Sequence, residues 1–190
     1  FLENPDVKSS TNIANSDSLH LEPDSQISML KSNESTSKIS KVDTIIMNPP
    51  FTRQESLEKN QKDALETRFS KYDIVDKRIG LHGYFILLGN EFLKNNGTMA
   101  LVLPATVLRI ESFTKLRKFL VENFQIKYLI SSNKSSSFSY GSRFREILLV
   151  IKKTAPKKSD KTRIGVLNEK PVIGKNVKDI ISSLTKKSIK

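Results

Sequence analysis

The run Lys41 to Phe51, KVDTIIMNPPF, carries an apolar segment into an asparagine, two prolines and an aromatic ring. An amide side chain accepts a hydrogen bond through its oxygen, and proline lacks an N–H but keeps its carbonyl. Asn48 and Pro49 therefore offer two acceptors side by side. Each proline holds the residue before it extended, so the segment is rigid before anything binds and little ordering cost remains. Two acceptors around an exocyclic amine draw its lone pair out of ring conjugation. The nitrogen becomes nucleophilic without first losing a proton to a strong base. Phe51 adds a flat face, and stacking is the usual way to hold an extruded base. The same residues also suit a strand that ends in a rigid turn with an exposed aromatic. Their place behind an apolar strand favours the clamp.

Such a clamp needs a sheet to hold it. Val42 to Met47 reads as a nearly all-apolar strand of the buried parallel kind, ended by Pro49 and Pro50. Glu55 to Tyr72 is polar and helix-compatible. Leu81 to Leu93 is a stronger helix, with Phe85, Leu88 and Phe92 spaced to face a sheet. Asn95-Asn96-Gly97 closes it, with Gly97 expected to supply the backbone freedom of a helix stop. Thr98 to Leu103 is a second strand stopped by Pro104, Phe113 to Val121 a helix, and Ile126 to Ile130 a third strand. A serine-rich loop, Ser131 to Ser142, leads to a fourth strand, Phe144 to Ile151. That link is too short for a crossover helix and predicts an antiparallel hairpin.

At the two ends the pattern is weaker. Asn12 to Leu19 reads as a strand end followed by a turn, and Glu22 to Ser40 as a loop with one helical turn around Ile27 to Leu30. Beyond Lys153 the chain offers a short strand, Arg163 to Leu167, and a helix, Val177 to Leu184. The order of elements predicts an open α/β sheet, mostly parallel with one reversed strand. Ligands of such sheets sit beyond the carboxyl ends of the strands, where Asn48 and Pro104 both fall.

Composition narrows the class. The 190 residues, 37% hydrophobic, are enough for one domain with a core. The chain has no cysteine, which excludes disulfides and thiolate metal sites and fits a reducing, cytoplasmic setting. His20 has no second histidine or carboxylate set at ligand spacing, so no metal site is expected. No stretch approaches the roughly 20 apolar residues of a membrane span. The formal charge is +12, and Lys152 to Lys190 holds 12 Lys or Arg against 3 Asp or Glu. This basic tail fits a polyanionic partner, or equally a solvated lysine-rich surface, since no aromatics interleave with it. Beginning with Phe rather than Met, the chain reads as a piece of a longer one.

With Asn48, Pro49, Pro50 and Phe51 in place, the sequence resembles the adenine-N6 DNA methyltransferases of restriction-modification systems, especially type I modification subunits and fused restriction–modification enzymes. The resemblance continues through LHGYF at 81–85, GTMALVLP at 97–104, LRKFL at 116–120, IKYLI at 126–130 and REILLVIKK at 145–153, covering about residues 12–153. It implies a Rossmann-like methyltransferase sheet and S-adenosylmethionine as cofactor. It further implies double-stranded DNA with a flipped adenine as substrate, and a specificity subunit or target-recognition domain as partner. Asn48 and the Pro49 carbonyl would bind the amine, Pro50 would stiffen the turn and Phe51 would stack on the base. Asp17 would lie beside the cofactor's adenine, although a turn-capping role is also open to it. Phe138 would line the base pocket or anchor its loop. The family's glycine-rich loop and ribose-binding acid have no counterpart here, since no glycine precedes Gly80. Residues 1–153 are thus expected to form the target-base side of a catalytic domain whose cofactor half is missing, inactive alone, and 154–190 a basic extension or the start of a following domain. Methylation of protein glutamine or ribosomal RNA guanine is the alternative within enzymes, and a noncatalytic nucleic-acid-binding or assembly domain the alternative outside them. His82 is expected to cap or pack, and Arg109 and Arg117 to meet phosphates or solvent.

Overall fold

The computed structural model describes residues 14–28, 36–51, 57–74, 79–132, 145–167 and 177–185. Its centre is a five-stranded sheet built from β3 (Val42–Met47), β4 (Leu93–Pro104), β5 (Gln125–Ser132), β6 (Glu146–Lys152) and β7 (Arg163–Leu167). The spatial order is β3-β4-β6-β5-β7. β3 pairs parallel with β4, and β5 with β7, whereas β6 runs antiparallel to both β4 and β5. Four strands therefore point one way and β6 alone is reversed, the mixed, mostly parallel α/β sheet that the alternation predicts. The hairpin expected between the third and fourth strands is the β5–β6 pair, running from Gln125 opposite Lys152 to Ser131 opposite Ile147 with a register shift between Ile126 and Tyr128. β7 lies beyond Lys153 and joins this same sheet through β5.

Among the described residues three helices connect the strands: α1 (Lys59–Arg68), α2 (Gly80–Phe92) and α3 (Thr114–Asn123). A fourth, α4 (Val177–Thr185), follows β7. α2 is buried on several sides rather than along one stripe. Tyr84, Ile86, Leu87, Leu88 and Gly89 are buried, while Phe85 and Phe92 are only half-buried. Gly89 marks the face laid on the sheet, because a Cβ there would reach Met99 Sδ and stand 3.0 Å from Met47 Cε. The core joins this helix to Met99, Leu101 and Leu103 of β4, Leu116 and Leu120 of α3, and Ile147, Leu149 and Ile151 of β6.

Four expectations need correction. Val42 to Met47 is not buried on both faces: β3 is an edge strand among the described residues, and Ile46 is 82% exposed. The span from Glu22 to Ser40 is not all loop, because β1 (Gln26–Ser28) pairs antiparallel with β2 (Thr36–Lys38). Short polar strands of this kind carry no apolar alternation from which to read them. Asn12 to Leu19 yields no strand among its described residues but a 3-10 turn, Ser18–His20. Finally, Gly97 does not supply the left-handed residue of a helix stop. α2 stops on Leu93 in extended conformation, β4 begins at that same residue, and the positive φ nearby, 65°, belongs to Asn96 inside β4.

Candidate functional site

The carboxyl edge of the parallel strands gathers the residues with chemical potential. β3 ends at Met47, so Asn48 begins the segment that leaves this edge. Asn48 and Pro50 are exposed, Pro49 is buried and Phe51 is half-buried. The buried Pro49 roots the turn between the exposed Asn48 and the half-buried Phe51. On the neighbouring strand, β4 ends at Pro104 and passes into a 3-10 turn, Ala105–Leu108. Across from Pro104, the buried Glu146 opens β6.

α2 carries the helical contribution to the same edge. The helix runs directly into β4, so its first turn lies toward the carboxyl ends. Gly89 already sits over Met47, the last residue of β3, and His82 lies two turns further out. His82 packs rather than caps: Ile79 occupies the N-cap position, and no side chain bonds the helix start. Its ring meets Phe51 edge-on, with centroids 6.4 Å apart and planes at 86°, and meets Phe113 at 5.2 Å and 46°. His82 is 5% exposed, and neither ring nitrogen has a hydrogen-bond partner among the described residues. Burial pulls its pKa down to about 4, so the imidazole is neutral at physiological pH.

The turn after β4 is held from α3. Arg117 donates through Nη1 to the carbonyls of Val107 at 2.9 Å and Ile110 at 2.7 Å, and through Nη2 to Thr114 Oγ1 at 2.8 Å. Arg117 is thus committed to the scaffold and is not a surface phosphate ligand, whereas Arg109 is exposed. Phe113 closes the short turn before α3 and is buried. Its part in the Phe51–His82–Phe113 cluster was not legible from the helical spacing, which gives a ring a face but no partner.

Asp17 stands on a separate segment. It caps the Ser18–His20 turn by accepting the Leu19 amide at Oδ1, 3.1 Å away, while Oδ2 lies 3.0 Å from His20 Nδ1. The carboxylate is exposed, and Leu19 beneath it is buried in the core. A carboxylate has about four lone-pair sites. Both oxygens therefore keep capacity for a further donor. Phe138 lies outside the described residues.

The described part of the basic tail lies elsewhere. Lys152 ends β6, Lys153 follows it, and the link holding Lys157, Lys158 and Lys161 leads into the start of β7. Because β6 is reversed, these lysines sit at the edge opposite Asn48. Lys153 turns its ammonium onto the Asn90 and Leu93 carbonyls at the end of α2. Among the described residues no helix is long and apolar enough to cross a membrane.

Comparison with known proteins agrees with this architecture. The chain is 28% identical over 113 residues to the type II methyltransferase M.BstVI of Geobacillus stearothermophilus, matching 60% of this chain and 20% of that protein. It is 28% identical over 110 residues to the type II restriction enzyme and methyltransferase RM.Eco57I of Escherichia coli, matching 58% of this chain and 11% of that one. The chain thus spans about a fifth of the first and about a tenth of the second. In fold it is similar to a modification subunit assigned to a type I restriction enzyme from Vibrio vulnificus YJ016, with TM-score 0.57, 16% identity, and coverage of 79% of this chain and 32% of that one. It is also similar to a Listeria monocytogenes protein assigned to the class I S-adenosylmethionine-dependent methyltransferases, with TM-score 0.55, 18% identity, and coverage of 76% and 42%. The Eco57I restriction-modification methylase family matches residues 3–138, well over half of the chain, and the chain belongs to that family.

Proposed function

We propose that this chain is the target-base side of an adenine-specific DNA methyltransferase of a restriction-modification system. The observation that carries the reading is the exposed amide of Asn48 beside a buried Pro49 and a half-buried Phe51, at the carboxyl end of β3. Membership of the Eco57I restriction-modification methylase family supports it.

The chemistry follows from the residues. The Asn48 oxygen and the Pro49 carbonyl accept the two N–H bonds of an adenine amine. That withdraws the nitrogen lone pair from the ring and turns it toward the methyl donor. Preorganised acceptors of this kind lower the barrier because they need no reorganisation at the moment of reaction. Pro50 keeps the segment extended, and Phe51 stacks on the base after it leaves the duplex. S-adenosylmethionine supplies the electrophilic methyl group when bound. Asp17 would hold its adenine amine, and Phe138 would close the base pocket from the loop before β6. The family's glycine-rich loop and ribose acid have no counterpart in this chain, so the rest of the cofactor site would come from outside it. DNA recognition would rest with a target-recognition region or specificity subunit, and the setting would be the cytoplasm. Residues 1–153 would form the target-base side of the catalytic domain, and 154–190, which adds β7 to its sheet, a basic extension or the start of a following domain.

The test is methyl transfer by the full-length protein from tritiated S-adenosylmethionine to plasmid DNA, ribosomal RNA and a release-factor-type protein, followed by nucleoside and amino-acid analysis. Label recovered as N6-methyladenine from DNA is the expected result. Label recovered only as methylglutamine or methylguanine would overturn it.

A further inference from the structure

We infer that His82 is a positioning residue: it acts through Phe51, as the flat inner wall that fixes the angle of the stacking ring. This rests on the reading that Phe51 stacks on an extruded base, and it extends the site to a residue outside the NPPF segment.

Three observations carry it. First, the contact is direct: Phe51 stands perpendicular to His82, with centroids 6.4 Å apart. Second, the wall cannot drift. A Cβ on Gly83 would meet three Ile79 side-chain atoms at 3.0–3.1 Å, so the first turn of α2 is already at close contact. On its other side His82 leans on Phe113, whose amide bonds the Ile110 carbonyl at 3.2 Å, and Arg117 grips that same carbonyl. A continuous chain of contacts thus runs from α3 through Phe113 and His82 to Phe51. Third, the imidazole packs by its ring rather than through its nitrogens. Both nitrogens are buried and have no hydrogen-bond partner among the described residues. A buried polar group without a partner is destabilising, and an aliphatic side chain would avoid that penalty. What histidine offers over leucine is a flat ring, and aromatic pairs prefer the edge-on arrangement seen here. Its neutrality, enforced by burial, keeps the wall apolar in character.

The experiment uses the full-length protein and two substitutions of different shape. The target adenine is first located by sequencing plasmid DNA methylated by the wild type. A duplex with 2-aminopurine at that position then reports base extrusion by fluorescence, and kcat and KM for DNA are measured on the unmodified duplex. His82→Leu fills the space, removes the unpaired nitrogens and lacks a flat edge. It should unfold at the same temperature as the wild type or higher, yet lose extrusion signal and kcat by roughly tenfold or more. His82→Phe restores a ring and should stay within about threefold of the wild type. Wild-type extrusion and kcat in His82→Leu would overturn the inference. So would a loss in His82→Phe as large as in His82→Leu, because the nitrogens rather than the ring would then matter. Asn48→Ala in the same assay separates the two levels. A dead Asn48→Ala beside an intact His82→Leu removes this inference alone, whereas a wild type that transfers no methyl group to DNA removes the functional reading with it.

Discussion

Arg68 Nη2 donates to Glu91 Oε2 at 2.8 Å and to the Leu21 carbonyl at 2.6 Å. One guanidinium thereby ties α1, α2 and the segment that follows Asp17. The pair is largely buried, with side chains 12% and 7% exposed, and Lys71 adds a second contact at 2.6 Å. Removing one member of such a pair leaves an uncompensated charge. Glu91→Ala should therefore lower stability by about 3 kcal/mol, and Arg68→Met with Glu91→Leu should recover most of that loss. Equilibrium urea unfolding of the wild type and these two variants checks it. Burial alone would push the Glu91 carboxyl up, but the bonds from Arg68 and Lys71 outweigh it and hold the carboxyl below its usual range. Its contribution is complete above the ordinary carboxylate pKa and is lost as pH falls through the lower folded value.

His82 produces a second acid dependence. Its folded pKa of about 4 lies below the ordinary 6.5, so the unfolded chain binds this proton more readily. Stability attributable to His82 is constant above about pH 6.5 and falls as pH drops toward 4, by a total on the order of 3 kcal/mol. His82→Phe should flatten that slope. The readout is urea unfolding of both proteins across this pH range; equal slopes would contradict the assignment.

A Cβ on Gly97 would lie 2.9 Å from the Asp43 carbonyl oxygen and 2.7 Å from Leu93 Cδ1. The first of these is backbone and cannot swing aside. Gly97→Ala should cost about 1–3 kcal/mol by forcing β3 and β4 apart. A melting temperature unchanged from the wild type would show that the strands yield more easily than this contact implies.

Much of the fold was legible because it rests on local signals. Val42 to Met47 is apolar and proline-terminated, Leu81 to Leu93 has helical spacing, and the short link before β6 left no room for a crossover. Arg163–Leu167 appears with the expected limits. Gly97 shows where such reading stops. A glycine after a helix suggests a left-handed turn, but the left-handed conformation belongs to Asn96 inside β4, and Gly97 answers to Asp43 on β3. His82, Phe113 and Arg117 share that difficulty. Their partners are set by how α2 and the turn after β4 meet beyond the sheet, and no spacing encodes that. The rigidity of the NPPF segment, by contrast, is a local property of consecutive residues.

Asp17 can be separated from an ordinary cap. Asp17→Asn keeps a side-chain oxygen for the Leu19 amide but removes the charge and half of the acceptor capacity. Stability should change by less than about 1 kcal/mol, while the affinity of the full-length protein for S-adenosylmethionine falls roughly tenfold. Isothermal titration calorimetry gives the affinity. Unchanged affinity would leave Asp17 as a cap alone.

The most direct measurement of the central claim is methyl transfer to DNA by the full-length protein with Asn48→Ala. The side chain is exposed, so the variant should unfold within a few degrees of the wild type. Loss of one of two acceptors for the amine should lower kcat by roughly 100-fold or more, with little change in KM for DNA. Methylation at the wild-type rate would contradict the clamp.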